Sequence, residues 1–222
     1  MFNRTLYFLG SVFINIYAKL MLKVNVVCHE QMHSGAKIIV SNHPTTSDPF
    51  VLTTMTKGQA SILIKDILFK IPLFGTYLRW AGHIPVTRDK GRDAFEAALK
   101  HLIKGKSIVV FIEGDITTSK NRPQKPKTGA VRLALSSGLP IIPIGIAVKK
   151  VNIKLLDSVI DGVKEEGVWY FKGPYEITVG RAFKVSGDTK DRNRVRLLSD
   201  LVLQKVTRLA YESAKRIPPT SA

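Results

Sequence analysis

His43 and Asp48, in the stretch Ser41-Asn42-His43-Pro44-Thr45-Thr46-Ser47-Asp48-Pro49, are residue types suited to moving a proton. A carboxylate held against one imidazole nitrogen fixes the tautomer and leaves the other nitrogen able to accept a proton from an alcohol. That is half of the serine-protease arrangement, with the hydroxyl supplied by a substrate. Five residues apart on a continuous helix, the two side chains would point about 140° away from each other, and on a strand they would lie on opposite faces. Only a turn joins them. Pro44 opposes a helix through His43, and Asp48-Pro49 is a natural N-cap and first-turn pair. On spacing alone a second reading stands beside the catalytic one, in which Ser47 or Asp48 caps the next helix and His43 is an ordinary turn residue. The amides at the start of that helix, near Phe50 and Val51, are candidate oxyanion donors.

Other chemistry-bearing residues end strand-like runs. Arg88 follows an apolar run and precedes the polar turn Asp89-Lys90-Gly91, where a guanidinium can present its planar fork to a phosphate or simply stand on the surface. Glu113 closes the most hydrophobic run of the chain, and Gly114 after it suits either a ligand-facing turn or a plain loop. Lys65 ends another run and is a candidate partner for anionic groups. No set of carboxylates and imidazoles around His43 makes a metal site, and no G-x-S-x-G elbow supports a serine nucleophile.

The elements that must carry these residues follow from the hydrophobic pattern. Strand-like runs at 24–28, 37–41, 61–64, 83–86, 107–111 and 141–148 alternate with helical periodicity, clearest at 92–103 and 129–136. This predicts a layered α/β domain with a largely parallel central sheet flanked by helices, in which His43 sits at the carboxyl end of a strand. Runs at 169–172 and 175–183 read as late strands that could pair as a hairpin. Leu198, Leu201, Val202, Val206 and Leu209 place a closing helix over 191–215.

At 222 residues and 45% hydrophobic, the chain suits one domain over 24–222 with an N-terminal helix over 1–23. Phe2, Leu6, Leu9, Phe13, Ile16 and Leu20 form one stripe of that helix, and its uncharged run from Thr5 to Ala18 falls short of the roughly 20 residues of a spanning helix. The expectation is a helix in the plane of a membrane interface, with packing against the protein's own core as the alternative. Cys28 is the single cysteine, which points to a reducing compartment and so to the cytoplasmic face of a membrane, with a peripheral or monotopic attachment. A net charge of +17 calls for an anionic partner: nucleic acid, anionic lipid or an acidic carrier protein. Phe8, Phe13, Phe69 and Phe74 sit in apolar runs instead of among Lys and Arg, which weighs against a nucleic-acid module.

Four blocks, in order, carry a resemblance. Asn42-His43 followed by Asp48 resembles the N-H-x-x-x-x-D signature of the glycerolipid acyltransferase family, which includes the lysophosphatidic acid acyltransferases. Gly82-His83-Ile84-Pro85-Val86-Thr87-Arg88, Phe111-Ile112-Glu113-Gly114 and Gly138-Leu139-Pro140-Ile141-Ile142-Pro143 resemble its second, third and fourth blocks. The resemblance implies an O-acyltransferase of phospholipid biosynthesis. It would move a fatty acyl group from acyl-CoA or acyl carrier protein to the free hydroxyl of lysophosphatidic acid, with no further cofactor. It implies His43 as general base, Asp48 as its orienting acid, and Asn42, Arg88, Glu113 and Gly114 as substrate-binding residues, to which Lys65 is added from its place at a strand end. The third block departs from the usual F-P-E-G-T-R-S: Asp115-Ile116-Thr117 puts Ile116 where the family carries arginine. That leaves open an acceptor such as glycerol 3-phosphate, another lysolipid or a non-glycerol amphiphile. The basic residues Lys120, Arg122, Lys125 and Lys127 that follow could supply the missing charge.

Overall fold

Strands covered on both faces read as unbroken apolar runs, and the three most apolar runs of the chain lie at the centre of the sheet. The computed structural model describes residues 2–56, 59–87, 90–116 and 125–219. β1 (Val24–Cys28), β2 (Ile38–Ser41), β3 (Ala60–Lys65), β4 (Ile84–Val86), β5 (Ser107–Phe111), β6 (Ile141–Val148) and β9 (Tyr175–Val179) form a seven-stranded sheet in the order β1-β9-β6-β2-β5-β3-β4. Every neighbouring pair is parallel except β6 with β9.

The two-residue period of a strand divides the interior into two layers. Ile38, Val40, Ile108 and Val110 face α4 (Gly91–Ile103), α5 (Gly129–Ser137) and α6 (Arg192–Ala214). Ile39, Val109, Phe111, Ile142 and Ile144 face the other way, toward α2 (Asp48–Thr54), the end of α1 (Phe2–Leu20), Tyr170 and Tyr175. α6 crosses β6 at Gly145, where a Cβ would lie 2.0 Å from the Ala210 nitrogen, so only glycine permits that approach.

α1 docks through one face and leaves the other open. Ala18 and Leu22 are buried, Gly10 sits against the Tyr77 ring of α3 (Phe74–Ala81), and Tyr17 Oη donates to the Phe171 carbonyl. Leu9, Phe13, Ile16 and Leu20 are exposed, Phe13 and Leu20 by three-quarters (75% and 74%). One stripe packs on the domain, and the described members of the stripe picked out by periodicity, Leu9, Phe13, Ile16 and Leu20, face outward. Among the described residues no helix is long and apolar enough to cross a membrane.

Two features differ from the expected elements. The runs at 169–172 and 175–183 do not pair with each other. β9 instead enters the central sheet, and the hairpin is built from β7 (Ile153–Ile160) and β8 (Val163–Tyr170), a separate two-stranded sheet. Its turn, Asp161-Gly162, has positive φ at both residues (53° and 76°), the geometry of the tightest hairpin connections. α3 was also not expected from the sequence. It is short, begins at a strained Leu73 with φ 62°, and ends on Gly82 in the left-handed region.

Candidate active site

β2 ends at Ser41, β3 at Lys65, β4 at Val86 and β5 at Phe111, and these four strands are parallel neighbours. Their carboxyl ends therefore share one edge of the sheet. His43 and Asp48, Lys65, and Glu113 with Gly114 stand at that edge. Arg88, Lys120 and Arg122 lie outside the described residues.

The turn after β2 joins the pair. His43 Nδ1 lies 2.9 Å from Asp48 Oδ2, with the imidazole slightly open to solvent (14%) and the carboxylate fully covered. Because the carboxylate accepts, Nδ1 carries the hydrogen and Nε2 is left as the basic nitrogen. The Phe111 ring stacks on the imidazole, with centroids 3.8 Å apart and planes 14° from parallel, and covers one of its faces.

Asp48 is held from every side. Thr45 donates its backbone N–H to Oδ2 at 2.7 Å and its hydroxyl to Oδ1 at 2.6 Å. Tyr175 Oη, from β9, donates to Oδ1 at 2.5 Å. Burial, and then the Asp48 charge beside it, push the Tyr175 phenol well above the ordinary phenol range, so it stays a donor at any working pH. Asp48 begins α2, with Ser47, one of the two cap candidates, at the cap position. Neither cap reading holds as stated: Ser47 makes no side-chain bond to the helix, and its hydroxyl instead donates to the Tyr170 carbonyl (3.0 Å) and accepts from the Tyr170 amide (3.2 Å). Together with Thr46, whose amide donates to Val168 O at 2.7 Å and whose hydroxyl accepts from Val168 N at 2.9 Å, it docks the turn on the outer edge of β8. The Phe50 and Val51 amides are engaged with Ser47 O (3.2 and 3.4 Å), which removes them as oxyanion donors.

The remaining residues take separate roles. The Asn42 amide donates to Ile146 O (2.9 Å) and accepts from Ile146 N (2.8 Å), continuing the β2–β6 ladder one step past its end and fixing the base of the turn. Glu113 is buried two residues past the ring that covers His43. Gly114 turns the chain with φ 73°, and the Lys127 side chain packs so close that a Cβ would meet it at 2.9 Å. Lys65 is half exposed and pairs with Glu165 of β8 (3.4 Å) and Asp115 (3.7 Å), so it ties the hairpin to the loop after β5. Sequence reasoning missed Thr45, Phe111 and Tyr175 as parts of this site. Thr45 had a signal: T-x-x-D is half of a capping box, in which the acid reaches back to the amide three residues earlier. Tyr175, 127 residues from Asp48, had none.

A family model described as acyltransferase matches residues 23–147, more than half of the chain. The chain belongs to the acyltransferase family. It is 30% identical over 131 residues to the 1-acyl-sn-glycerol-3-phosphate acyltransferase of Escherichia coli, covering 56% of this chain and 53% of that one. It is 26% identical over 193 residues to the protein of that name from Haemophilus influenzae, covering 84% and 75%. The chain thus spans about half the length of the E. coli relative and of the equally similar protein of Salmonella typhimurium. The crystal structure of the 1-acyl-sn-glycerophosphate acyltransferase of Thermotoga maritima shares the fold, with a TM-score of 0.67 at 18% identity over 98% of this chain and 81% of that one. This acyltransferase-family segment includes His43, Asp48, Lys65 and Glu113. Tyr175 and the β8 edge that receives the turn lie beyond it.

Proposed function

We propose that this protein is an O-acyltransferase that moves a fatty acyl group from an acyl thioester, acyl-CoA or acyl carrier protein, to the free hydroxyl of lysophosphatidic acid. The observation that carries the reading is the 2.9 Å contact between His43 Nδ1 and a fully buried Asp48, which leaves Nε2 basic at the edge of the sheet. The names of the relatives supply the acceptor and the reaction class. In the step proposed, Nε2 takes the proton of the acceptor hydroxyl as its oxygen attacks the thioester carbonyl. The tetrahedral oxyanion collapses, the carbon–sulfur bond breaks, and the departing thiolate receives the proton from the imidazolium. Asp48 stabilises the imidazolium in between. Glu113, Gly114 and Lys65, with Arg88 beyond β4, are the proposed acceptor-binding groups, and Asn42 holds the turn beneath them. The exposed stripe of α1 and the net charge of +17 support seating on an anionic lipid surface, where the acceptor resides.

A second acceptor class has an observation in its favour. Asp115 and Glu165 bracket Lys65, and Ile116 stands where the family carries arginine, so the described edge holds less free positive charge than a phosphate monoester calls for. A lysolipid whose phosphate is a diester, with less negative charge, asks less of that edge. Purified protein incubated with acyl-CoA or acyl carrier protein and a panel of acceptors (lysophosphatidic acid, glycerol 3-phosphate and other lysolipids), with products read by mass, separates them. Acylated lysophosphatidic acid is the expected product. Acylation of another lysolipid alone selects the second class, and no acyl transfer to any acceptor overturns the proposal.

A further inference from the structure

Asp48 receives three donors besides His43, and they differ in origin. Thr45 is three residues away and moves with the turn, whereas Tyr175 belongs to β9, in register with Val24 of β1 and Val148 of β6. The Tyr175 side chain is completely buried, with Tyr170 edge-on at 6.1 Å between centroids, so its hydroxyl is set by the central sheet and not by the loop it touches. A hydroxyl bonded to a carboxylate withdraws charge from it, and a carboxylate so weakened is a poorer acceptor for its other partners.

We propose that Tyr175 is a positioning residue for the catalytic pair: its phenol fixes the plane of the Asp48 carboxylate and tempers its charge, and so sets both the direction and the proton affinity of His43. The inference rests on the proposed role of His43 as base. Three arguments carry it. The contact is short and wholly shielded from water, where a charge-assisted bond acts at full strength. The donor cannot ionise at working pH, because burial and the Asp48 charge hold the phenol protonated. The bond also shares Oδ1 with Thr45 Oγ1 and leaves Oδ2 to His43 and the Thr45 amide, a division that keeps one oxygen aimed at the imidazole. Among the described residues, the other charged groups at this edge are Glu113 and Asp115 after β5, Lys65 of β3, Glu165 of β8 and Lys127, whose side chain packs on Gly114; Phe111 covers the imidazole on the β5 side. Removing the Tyr175 hydroxyl strengthens the Asp48 charge felt by His43. The imidazolium is then favoured, and the histidine titrates at higher pH.

The test is the His43 titration, followed by NMR in the full-length protein and assigned by the resonance lost in His43→Gln. Tyr175→Phe keeps the ring and its packing. It is expected to raise the His43 pKa by about 0.5 or more, to move the acid limb of kcat/KM by the same amount, and to lower kcat about tenfold with KM within about twofold. Tyr170→Phe is the control for burial alone, since Tyr170 is equally buried but its hydroxyl donates to Pro174 O. It should lower thermal stability and leave the His43 titration in place. Should Tyr175→Phe not fold, 3-fluorotyrosine in place of the six tyrosines supplies a more acidic, stronger donor in the same position and should move the His43 pKa down. A His43 titration unmoved by Tyr175→Phe or by fluorination, or moved equally by Tyr170→Phe, overturns the inference. Because the titration is read without turnover, its failure is distinct from a failure to find acyl transfer.

Discussion

At the scale of single residues, the contacts of Asp48 tie the fold of the turn to the chemistry proposed for it. All four of its contacts are donors, so Asp48→Asn sets an amide N–H against a donor and breaks the set. The substitution is predicted to cost about 2–4 kcal/mol in urea denaturation and to lower acyl transfer by about 10³ or more, since both tautomer and orientation of His43 are lost. Thr45→Val removes the hydroxyl but leaves the amide bond, and should cost about 1–2 kcal/mol with a smaller loss of rate. The order of the two effects in one assay checks the assignment. A turn joining the pair was legible from a proline and an Asp-Pro step, but spacing alone leaves a helix-cap reading beside it, and the resemblance to the four acyltransferase blocks decides between them. The pair's support was legible only where it was local: Thr45 sits within the turn, whereas Tyr175 is brought in by strand order, which no local pattern encodes.

At the scale of elements, the turn from His43 to Asp48 docks along the outer edge of β8. Thr46 bonds the Val168 backbone through both its amide and its hydroxyl, and Ser47 bonds the Tyr170 backbone through its hydroxyl. Ser47→Ala strips one buried hydroxyl that both donates and accepts, leaving Tyr170 N–H and C=O unpaired on that edge. A loss of about 1–3 kcal/mol is expected, with faster amide exchange at Tyr170 than in the central sheet. The parallel strands were readable because fully covered strands are continuous apolar runs. The β7–β8 hairpin was not, because strands outside the central sheet carry Lys154, Asp157, Lys164 and Glu166 among their apolar residues and show no single buried face. α3 escaped notice for a different reason. Its eight residues include Gly75, which is required because a Cβ there would meet the Phe69 carbonyl at 2.0 Å, so packing and not propensity makes that helix.

At the scale of the whole molecule, charge and exposed apolar surface point the same way. Phe13 and Leu20 contribute nothing visible to the core, so changing both to Ser should leave thermal stability intact while lowering partition onto anionic vesicles about 10²-fold in a sedimentation assay. The fold also carries a pH limit away from the site. His83 accepts the Ile62 amide (3.3 Å), and burial, followed by the nearby charge of His101, depresses its pKa to about 4. The unfolded chain therefore binds a proton in the window from about 6.5 down to 4 that the folded chain does not, and stability falls as pH drops through that window, by at most about 3 kcal/mol. His83→Gln should flatten this slope in thermal melts between pH 7 and 4. The central claim is tested most directly by the rate of acyl transfer from a thioester to lysophosphatidic acid by wild type and His43→Ala under identical conditions, with circular dichroism to verify folding. The account predicts a folded variant slower by about 10² to 10⁴. Turnover near that of the wild type would contradict it.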